Sequence, residues 1–144
     1  MKQGLVITPK IILVDDDPLE AQLVSHGFEK VGIQADFIYF DSGKRFLEFV
    51  EQDAAQTKDV SLVLLDLKMP LMNGKEVLSA CQSRSLPKLP IVIFTSSSHP
   101  VDINDCYSLG ASAFVTKPIK REEYLDSLKK IADFWVGINQ RMSK

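Results

Sequence analysis

The sequence predicts an α/β fold in which helices cover both faces of one parallel sheet. Short, continuous runs of apolar residues recur along the chain, which is typical of strands that are buried on both faces. Segments with the apolar spacing of helices separate these runs. Alternation of strand and helix indicates parallel strands joined by crossover helices, so we expect a doubly wound sheet of five strands.

The five strand candidates are short, and four of them stand out as apolar runs that end in Asp15, Asp66, Thr95 and Lys117. These four are residues 11–14, 61–65, 91–94 and 113–116. Residues 37–40 are the remaining candidate because Phe37, Ile38, Tyr39 and Phe40 have strong β propensity. We expect the four polar-ended runs to be buried on both faces of the sheet.

Residues suited to helix ends separate the strands. Pro18 can occupy the first turn of one helix, and Pro100 can open another that Gly110 ends. Ser42 can cap the second helix, and Asn73 or Gly74 opens the third. Each strand candidate is therefore followed by a helix candidate.

The last helix is predicted to be the longest and to carry a wide apolar surface. Its main stripe has spacings of 4, 3, 4 and 3 and consists of Tyr124, Leu128, Ile131, Trp135 and Ile138. Leu125, Ala132 and Val136 form a second stripe beside it. One stripe must cover the sheet; the other either packs on the sheet too or binds a partner.

The composition suits one globular domain and excludes several classes of function. The 144 residues are 45% hydrophobic and 25% charged, and 17 basic against 19 acidic residues give a net charge of −2. This lacks the basic field that nucleic-acid binding needs. No apolar stretch approaches the roughly 20 residues of a membrane span. Cys81 and Cys106 lie far apart, which fits reduced thiols in a cytoplasmic protein.

Charged and hydroxyl side chains gather where the predicted strands end. They are Asp15 and Asp16 after the first strand, Asp66 after the third, Thr95 at the end of the fourth and Lys117 after the fifth. Ligands of open parallel sheets bind beyond the carboxyl ends of the strands. We therefore expect three carboxylates, one hydroxyl and one ammonium group to converge in one cleft.

This set of groups suits phosphoryl transfer to a carboxylate. Two carboxylates about 4 Å apart repel each other by about 4 kcal/mol at an effective dielectric constant of about 20, and Mg²⁺, which takes oxygen ligands, relieves that repulsion. A carboxylate held in this way can attack phosphorus. Mg²⁺ and Lys117 would neutralise charge on the transferred group, and Thr95 could donate a hydrogen bond to it.

Four motifs resemble the receiver domain of two-component response regulators. They are Val14-Asp15-Asp16-Asp17-Pro18, Leu65-Asp66-Leu67-Lys68-Met69-Pro70 with Asn73-Gly74, Phe94-Thr95-Ser96, and Phe114-Val115-Thr116-Lys117-Pro118. Together they are specific, and the likeness runs from about Lys10 to Trp135. The resemblance implies a flavodoxin-like (βα)5 sheet with strand order 2-1-3-4-5. We expect the domain at residues 8–139, short tails at 1–7 and 140–144, and no effector domain.

The resemblance also implies a role for each site residue. Asp66 would be the phosphoacceptor, and Asp15, Asp16, Asp66 and the Lys68 backbone carbonyl would bind Mg²⁺. Thr95 and Lys117 would bind the phosphoryl group, and Thr95 with Phe114 would form a switch. Lys68, Ser96 and Ser97 would tune access and the lifetime of the phosphoryl group. The Lys117–Pro118 bond would be cis, as in the family.

By this resemblance the chain would be a single-domain response regulator. A sensor histidine kinase or a histidine phosphotransfer protein would donate the phosphoryl group, and the chain would catalyse only its own phosphorylation and dephosphorylation. The changed face would be built from the fourth helix, the last strand and the last helix, and it would serve partner binding, dimerisation or onward phosphotransfer. Residues 133–135 and 95–98 weakly resemble stand-alone receivers that partner bacterial phytochrome kinases.

Three alternatives remain open at this point. Asp15 and Asp17 form the D-x-D spacing of haloacid-dehalogenase-type phosphatases, although Glu122 and Glu123 fall in the last helix rather than at a strand end. A flavin-binding module would share the fold, but three carboxylates after the first strand would repel a flavin phosphate. A degenerate receiver that is not phosphorylated is the third alternative.

Overall fold

The computed structural model describes residues 8–138, in which five strands alternate with five α-helices. The strands are β1 (Lys10–Val14), β2 (Asp36–Phe40), β3 (Val60–Leu65), β4 (Ile91–Thr95) and β5 (Ala113–Thr116). The helices are α1 (Pro18–Lys30), α2 (Gly43–Gln52), α3 (Gly74–Ser83), α4 (Pro100–Ser108) and α5 (Arg121–Ala132). A 3₁₀-helix (Ala54–Thr57) precedes β3, and a π-helix (Asp133–Ile138) follows α5.

The predicted domain reaches slightly beyond the part of the chain that the structure describes. The predicted tails, residues 1–7 and 140–144, lie outside it, as do Asn139 and the side chain of Ile138. Among the helices of residues 8–138, none has the length and apolar character that crossing a bilayer requires.

The five strands form one parallel sheet in the order β2-β1-β3-β4-β5, which confirms the predicted fold. Val14 pairs with Leu65, and Leu65 pairs with Ile93. This register ends β1 and β3 at the same level, and β4 continues past that level to Thr95. The residues that follow β1 and β3 are therefore neighbours at one edge of the sheet.

The sheet separates two apolar clusters, and β1 contributes to both. Ile12 and Val14 face the cluster beneath α2, α3 and α4, whereas Ile11 and Leu13 face the cluster beneath α1 and α5. β1, β3 and β4 are buried almost throughout, as their continuous apolar runs predict. The same prediction is wrong for β5, which is half-exposed because it is an edge strand.

The predicted helix starts are confirmed by their capping contacts. The Ser42 hydroxyl accepts a hydrogen bond from Arg45 N–H at the start of α2. Asn73 caps α3 in a reciprocal capping box with Glu76. Gly110, with a φ of +99°, follows α4. Local polar contacts therefore define where these helices begin and end.

The prediction of one continuous last helix through Ile138 is wrong. The α-helix ends at Ala132, and the chain continues in the wider turns of a π-helix. Trp135 and Val136, which α-helical spacing assigns to different stripes, both pack against the cluster beneath α1 and α5. The wider turn brings both side chains to the core, and it leaves Phe134 46% exposed.

Candidate functional site

An acidic cluster lies at the carboxyl edge of the sheet, where β1 and β3 end. Carboxylate oxygens of Asp15, Asp16 and Asp66 all lie within 4.8 Å of one another. Asp15 is buried, Asp66 is half-buried and Asp16 is exposed. A set of oxygen ligands with one open side suits a hard divalent cation such as Mg²⁺. The structure thus brings together the three carboxylates that the strand ends predict.

Asp15 is held rigidly at the bottom of this cluster. Its Oδ1 accepts a hydrogen bond from Asp17 N–H at 2.9 Å, and its Oδ2 accepts one from Lys117 Nζ at 3.2 Å. Burial, together with the nearby Asp66 carboxylate, raises the pKa of Asp15 to about 6, although the contacts with Asp17 and Lys117 oppose the shift. A cation bound at this position would offset the cost of keeping Asp15 ionised.

Lys117 follows β5 and brings one ammonium group to the acidic cluster. Its Nζ lies 3.2 Å from Asp15 Oδ2, 3.2 Å from Glu20 Oε2 and 3.9 Å from Asp66 Oδ2. Burial by itself lowers the pKa of Lys117, but the three carboxylates together raise it above its ordinary value. The ammonium group therefore stays charged and can neutralise an anion that is added at Asp66.

The Lys117–Pro118 peptide bond is trans, so the predicted cis bond is wrong; all described peptide bonds are trans. Trans is the ordinary state of most X–Pro bonds, which favour it by about 0.5–1 kcal/mol. With the trans bond, Lys117 N–H still donates to the Thr95 carbonyl at 2.6 Å. This hydrogen bond ties the ends of β4 and β5 together beside the cluster.

Thr95 is fully buried at the end of β4, and within the described residues its hydroxyl has no hydrogen-bond partner. An unpaired buried polar group costs about 1–3 kcal/mol, so a hydroxyl that gains a partner is stabilised. Phe114 lies half-buried on β5 and packs against the cluster beneath α2, α3 and α4. These positions suit the predicted switch, whose action stays a prediction.

The three predicted tuning residues lie around the mouth of the site. Lys68 and Ser97 line the same open depression, and Ser96 is exposed. The Ser97 hydroxyl donates to Asp102 Oδ2 at 2.6 Å, so it is held by α4. Metal binding by the Lys68 carbonyl and tuning by these side chains remain predictions.

Gly74 shapes the site through a close backbone contact that no motif reveals in advance. A β-carbon at this position would lie 2.5 Å from the Asp66 carbonyl oxygen and 2.9 Å from Leu67 Cα. The Gly74 N–H also donates to the Leu67 carbonyl at 2.9 Å. The first residue of α3 therefore packs directly on the loop that carries Asp66, and only glycine fits there without displacing backbone.

Glu20 and Tyr124 are further neighbours of the site that the motifs do not predict. Glu20 Oε2 contacts Lys117 Nζ and accepts a hydrogen bond from the Tyr124 hydroxyl. The sequence offers one indication of Glu20: it is an acidic residue in the first turn of α1, directly after the acidic end of β1. Tyr124 has helical core spacing, and such spacing does not reveal that its hydroxyl meets a residue of α1.

The phosphatase alternative loses support from the position of Asp17. Its Oδ1 accepts a hydrogen bond from Leu19 N–H at 2.9 Å and caps α1, so this carboxylate already has a structural role in the helix. Glu122 and Glu123 are exposed in the first turn of α5. The acidic cluster itself also disfavours a flavin phosphate at this edge.

Comparison with known sequences gives a consistent set of relatives. The sequence profile of the response regulator receiver domain matches residues 11–129. The probable methanogenesis regulatory protein FilR2 of Methanothrix harundinacea is 30% identical over 132 residues, which cover 90% of this chain and 85% of the relative. Response regulator Rcp1 of Synechocystis is 28% identical over 89% of this chain and 90% of Rcp1. Hybrid signal transduction histidine kinase L of Dictyostelium discoideum is 31% identical, but the match covers only 7% of that protein.

Solved structures agree with these relatives. The phosphorylated cyanobacterial phytochrome response regulator RcpA superposes with a TM-score of 0.83 at 25% identity, covering 94% of this chain and 99% of that one. The Mn²⁺-bound form of Rcp1 gives a TM-score of 0.80 at 25% identity, covering 94% and 99%. The acidic cluster is consistent with divalent cation binding of this kind. From its matched sequence, its fold and its relatives, the chain belongs to the response regulator receiver domain family.

Proposed function

We propose that this chain is a response regulator whose Asp66 accepts a phosphoryl group while Asp15, Asp16 and Asp66 bind Mg²⁺. The observation that carries this proposal is the way the two oxygens of the Asp66 carboxylate are hydrogen-bonded. Its Oδ1 accepts a hydrogen bond from Leu67 N–H at 2.8 Å, whereas its Oδ2 lies 3.9 Å from Lys117 Nζ, beyond hydrogen-bond distance. Both Asp15 oxygens, in contrast, are hydrogen-bonded. Asp66 thus offers an oriented oxygen that is available for attack.

In the proposed reaction, Asp66 Oδ2 attacks the phosphorus atom of a phosphohistidine. The new O–P bond forms as the P–N bond breaks, and the imidazole nitrogen keeps the electron pair. Lys117 and Thr95 would each donate a hydrogen bond to the transferred phosphoryl oxygens. Mg²⁺, when bound, supplies further neutralisation of their charge. Attack by water on the same phosphorus atom later releases inorganic phosphate and restores Asp66, so the chain would catalyse only its own modification.

Receiver domains are generally signalling modules rather than enzymes, and they generally interact with histidine kinases or phosphotransfer proteins. We propose a sensor histidine kinase or a histidine phosphotransfer protein as the donor, in the cytoplasm. The output would be a change of the face formed by α4, β5 and α5, read by a partner protein, a second copy or a later phosphotransfer step. The domain proposed for this role is residues 8–139.

Incubation with acetyl phosphate tests the proposal. Here acetate replaces imidazole as the leaving group, and the P–O bond to acetate breaks. We expect the wild-type chain to gain the mass of one phosphoryl group in the presence of Mg²⁺, and not after chelation of the metal. Asp66→Asn should gain none, because its amide is not a nucleophile. Intact-protein mass spectrometry gives the answer, with circular dichroism to verify that the variant folds.

Asp41→Asn is a matched control, since Asp41 is an exposed acid that directly follows β2 at the same sheet edge. It should label like the wild type. A wild-type chain that stays unlabelled with Mg²⁺, or an Asp66→Asn chain that still labels, would rule out Asp66 as the phosphoacceptor.

A further inference from the structure

We infer that Glu20, held by the Tyr124 hydroxyl, is a positioning residue that draws the Lys117 ammonium group away from Asp66 before phosphorylation. This inference rests on the proposed function of Asp66. Glu20 belongs to α1 and Tyr124 to α5, so the pair links both helices on one face of the sheet to the site.

The distances around Lys117 describe a competition among carboxylates. Its Nζ lies 3.2 Å from Glu20 and 3.2 Å from Asp15, but 3.9 Å from Asp66. An ammonium group has three N–H donors, but here the Asp66 carboxylate lies beyond hydrogen-bond distance, while Asp15 and Glu20 lie closer. The phosphoacceptor is the most distant of the three, and Glu20 is the contact that lies outside the acidic cluster.

Glu20 keeps its position because Tyr124 holds it from the neighbouring helix, α5. The Tyr124 hydroxyl donates a hydrogen bond to the same Oε2 that faces Lys117. The Tyr124 ring packs on the Phe94 ring at 5.4 Å between centroids, and Lys117 Nζ lies 5.6 Å from the centroid of that same ring. Phe94 is buried at 1% exposure. Tyr124 and Lys117 therefore share one apolar support, the buried Phe94 ring.

The charge of Glu20 should act in opposite directions on the two ligands of the site. It competes with a phosphoryl group for the Lys117 ammonium and repels that anion, so it slows phosphoryl acceptance. It also adds to the negative field of Asp15, Asp16 and Asp66, so it favours a divalent cation. When phosphorylation adds negative charge at Asp66, Lys117 exchanges Glu20 for a phosphoryl oxygen. If Glu20 only supported the fold, its replacement would slow phosphoryl acceptance and weaken Mg²⁺ binding together.

The test compares Glu20→Gln, Tyr124→Phe and wild type in two measurements. The first is the rate of Asp66 labelling by acetyl phosphate at saturating Mg²⁺, followed by mass spectrometry. The second is the Mg²⁺ dissociation constant without acetyl phosphate, measured by calorimetry. For Glu20→Gln we expect labelling roughly three- to tenfold faster and a dissociation constant roughly three- to tenfold higher.

Tyr124→Phe keeps the ring on Phe94 and the charge of Glu20, and it removes only the hydroxyl. We expect its labelling rate to rise by a smaller factor than in Glu20→Gln, while its Mg²⁺ dissociation constant stays within about twofold of wild type. Glu29→Gln is the matched control, because it removes one exposed carboxylate from the same helix, far along α1 from Lys117. Both of its constants should equal those of wild type.

Each outcome decides the matter. Faster labelling together with weaker Mg²⁺ binding in Glu20→Gln supports the inference, and a graded effect in Tyr124→Phe supports the role of the hydroxyl. Unchanged or slower labelling in Glu20→Gln overturns it, as does a Tyr124→Phe chain identical to wild type. If the wild-type chain itself is not labelled, the proposed function of Asp66 fails and the inference fails with it. If the wild-type chain is labelled and Glu20→Gln labels at the same rate, only the inference fails.

Discussion

At the scale of single residues, the charge of Asp15 has opposite consequences for folding and for cation binding. It is 2% exposed, and burial raises its pKa from the ordinary 3.8 to about 6. At neutral pH the residue is ionised, and this costs folding free energy because the unfolded chain ionises it more easily. The same charge is what a divalent cation would need from its ligand. The charge that a cation ligand requires is therefore a charge that lowers the stability of the folded chain.

We predict that Asp15→Asn is more stable than wild type at pH 7 without metal, by on the order of 2 kcal/mol. Because the folded pKa is raised, Asp15 favours the folded state below about pH 4, and this contribution is lost as the pH rises through about 6. The advantage of the variant should thus grow between pH 4 and pH 6 and then level off. Urea unfolding with a chelator measures it.

Asp36→Asn serves as the control for this experiment, since Asp36 is exposed on β2. The free energy of unfolding of Asp36→Asn should differ little from that of wild type at every pH. A stability difference between Asp15→Asn and wild type that does not change with pH would contradict the assigned cause.

At the scale of elements, the start of α3 and the loop after β3 form one unit. Gly74 allows the helix to contact the Asp66 carbonyl and Leu67 Cα directly. Asn73 and Glu76 then fix the direction of the helix through their capping box. The position of the loop that carries Asp66 consequently depends on how a helix packs, although no side chain of that helix belongs to the acidic cluster.

We predict that Gly74→Ala destabilises the chain by about 2 kcal/mol or more, because the new β-carbon meets backbone that cannot rotate away. Labelling of Asp66 should slow as its loop shifts. Gly137→Ala is the matched control, since nothing lies within 4 Å of a β-carbon built there, and it should stay within about 1 kcal/mol of wild type. Thermal and urea unfolding compare the two; equal effects would contradict the close-contact explanation.

At the scale of the whole molecule, the segment after β4 connects the site to the face formed by α4, β5 and α5. Ser97 donates to Asp102 of α4, and its carbonyl accepts a hydrogen bond from Thr116 of β5 at 2.9 Å. Asp102 in turn pairs with Lys75 of α3 at 2.7 Å. A displacement of Thr95 would therefore act on α4 and β5 together through contiguous polar contacts.

We predict that phosphorylation of Asp66 shifts the amide resonances of residues 100–109 and of Phe114. Thr95 would move to the phosphoryl group, and the Phe114 ring would turn into the space it leaves. The amide resonances of α2 should shift much less, because this helix follows β2, which lies at the opposite edge of the sheet from β5. Two-dimensional NMR before and after labelling measures this, and unchanged resonances in α4 and at Phe114 would exclude the proposed switch.

Much of the fold and of the site follows from sequence alone, for a definite reason. A strand buried on both faces must be a continuous apolar run, and parallel strands end at one common edge. The residues after those runs therefore had to meet, which is how Asp15, Asp16, Asp66, Thr95 and Lys117 could be predicted together. Caps such as Ser42 and Asn73 are equally local, because each contacts its own helix.

The remaining features depended on contacts that no local pattern encodes. The π-helix after α5 arises where Trp135 and Val136 both reach the core, against the spacing of a regular α-helix. Tyr124 and Glu20 meet across 104 positions of sequence, only because α1 and α5 pack on the same face of the sheet. The sequence by itself determined which groups share the site edge. Only the tertiary structure decided which carboxylates share the one ammonium, because that depends on distances between helices that lie far apart along the chain.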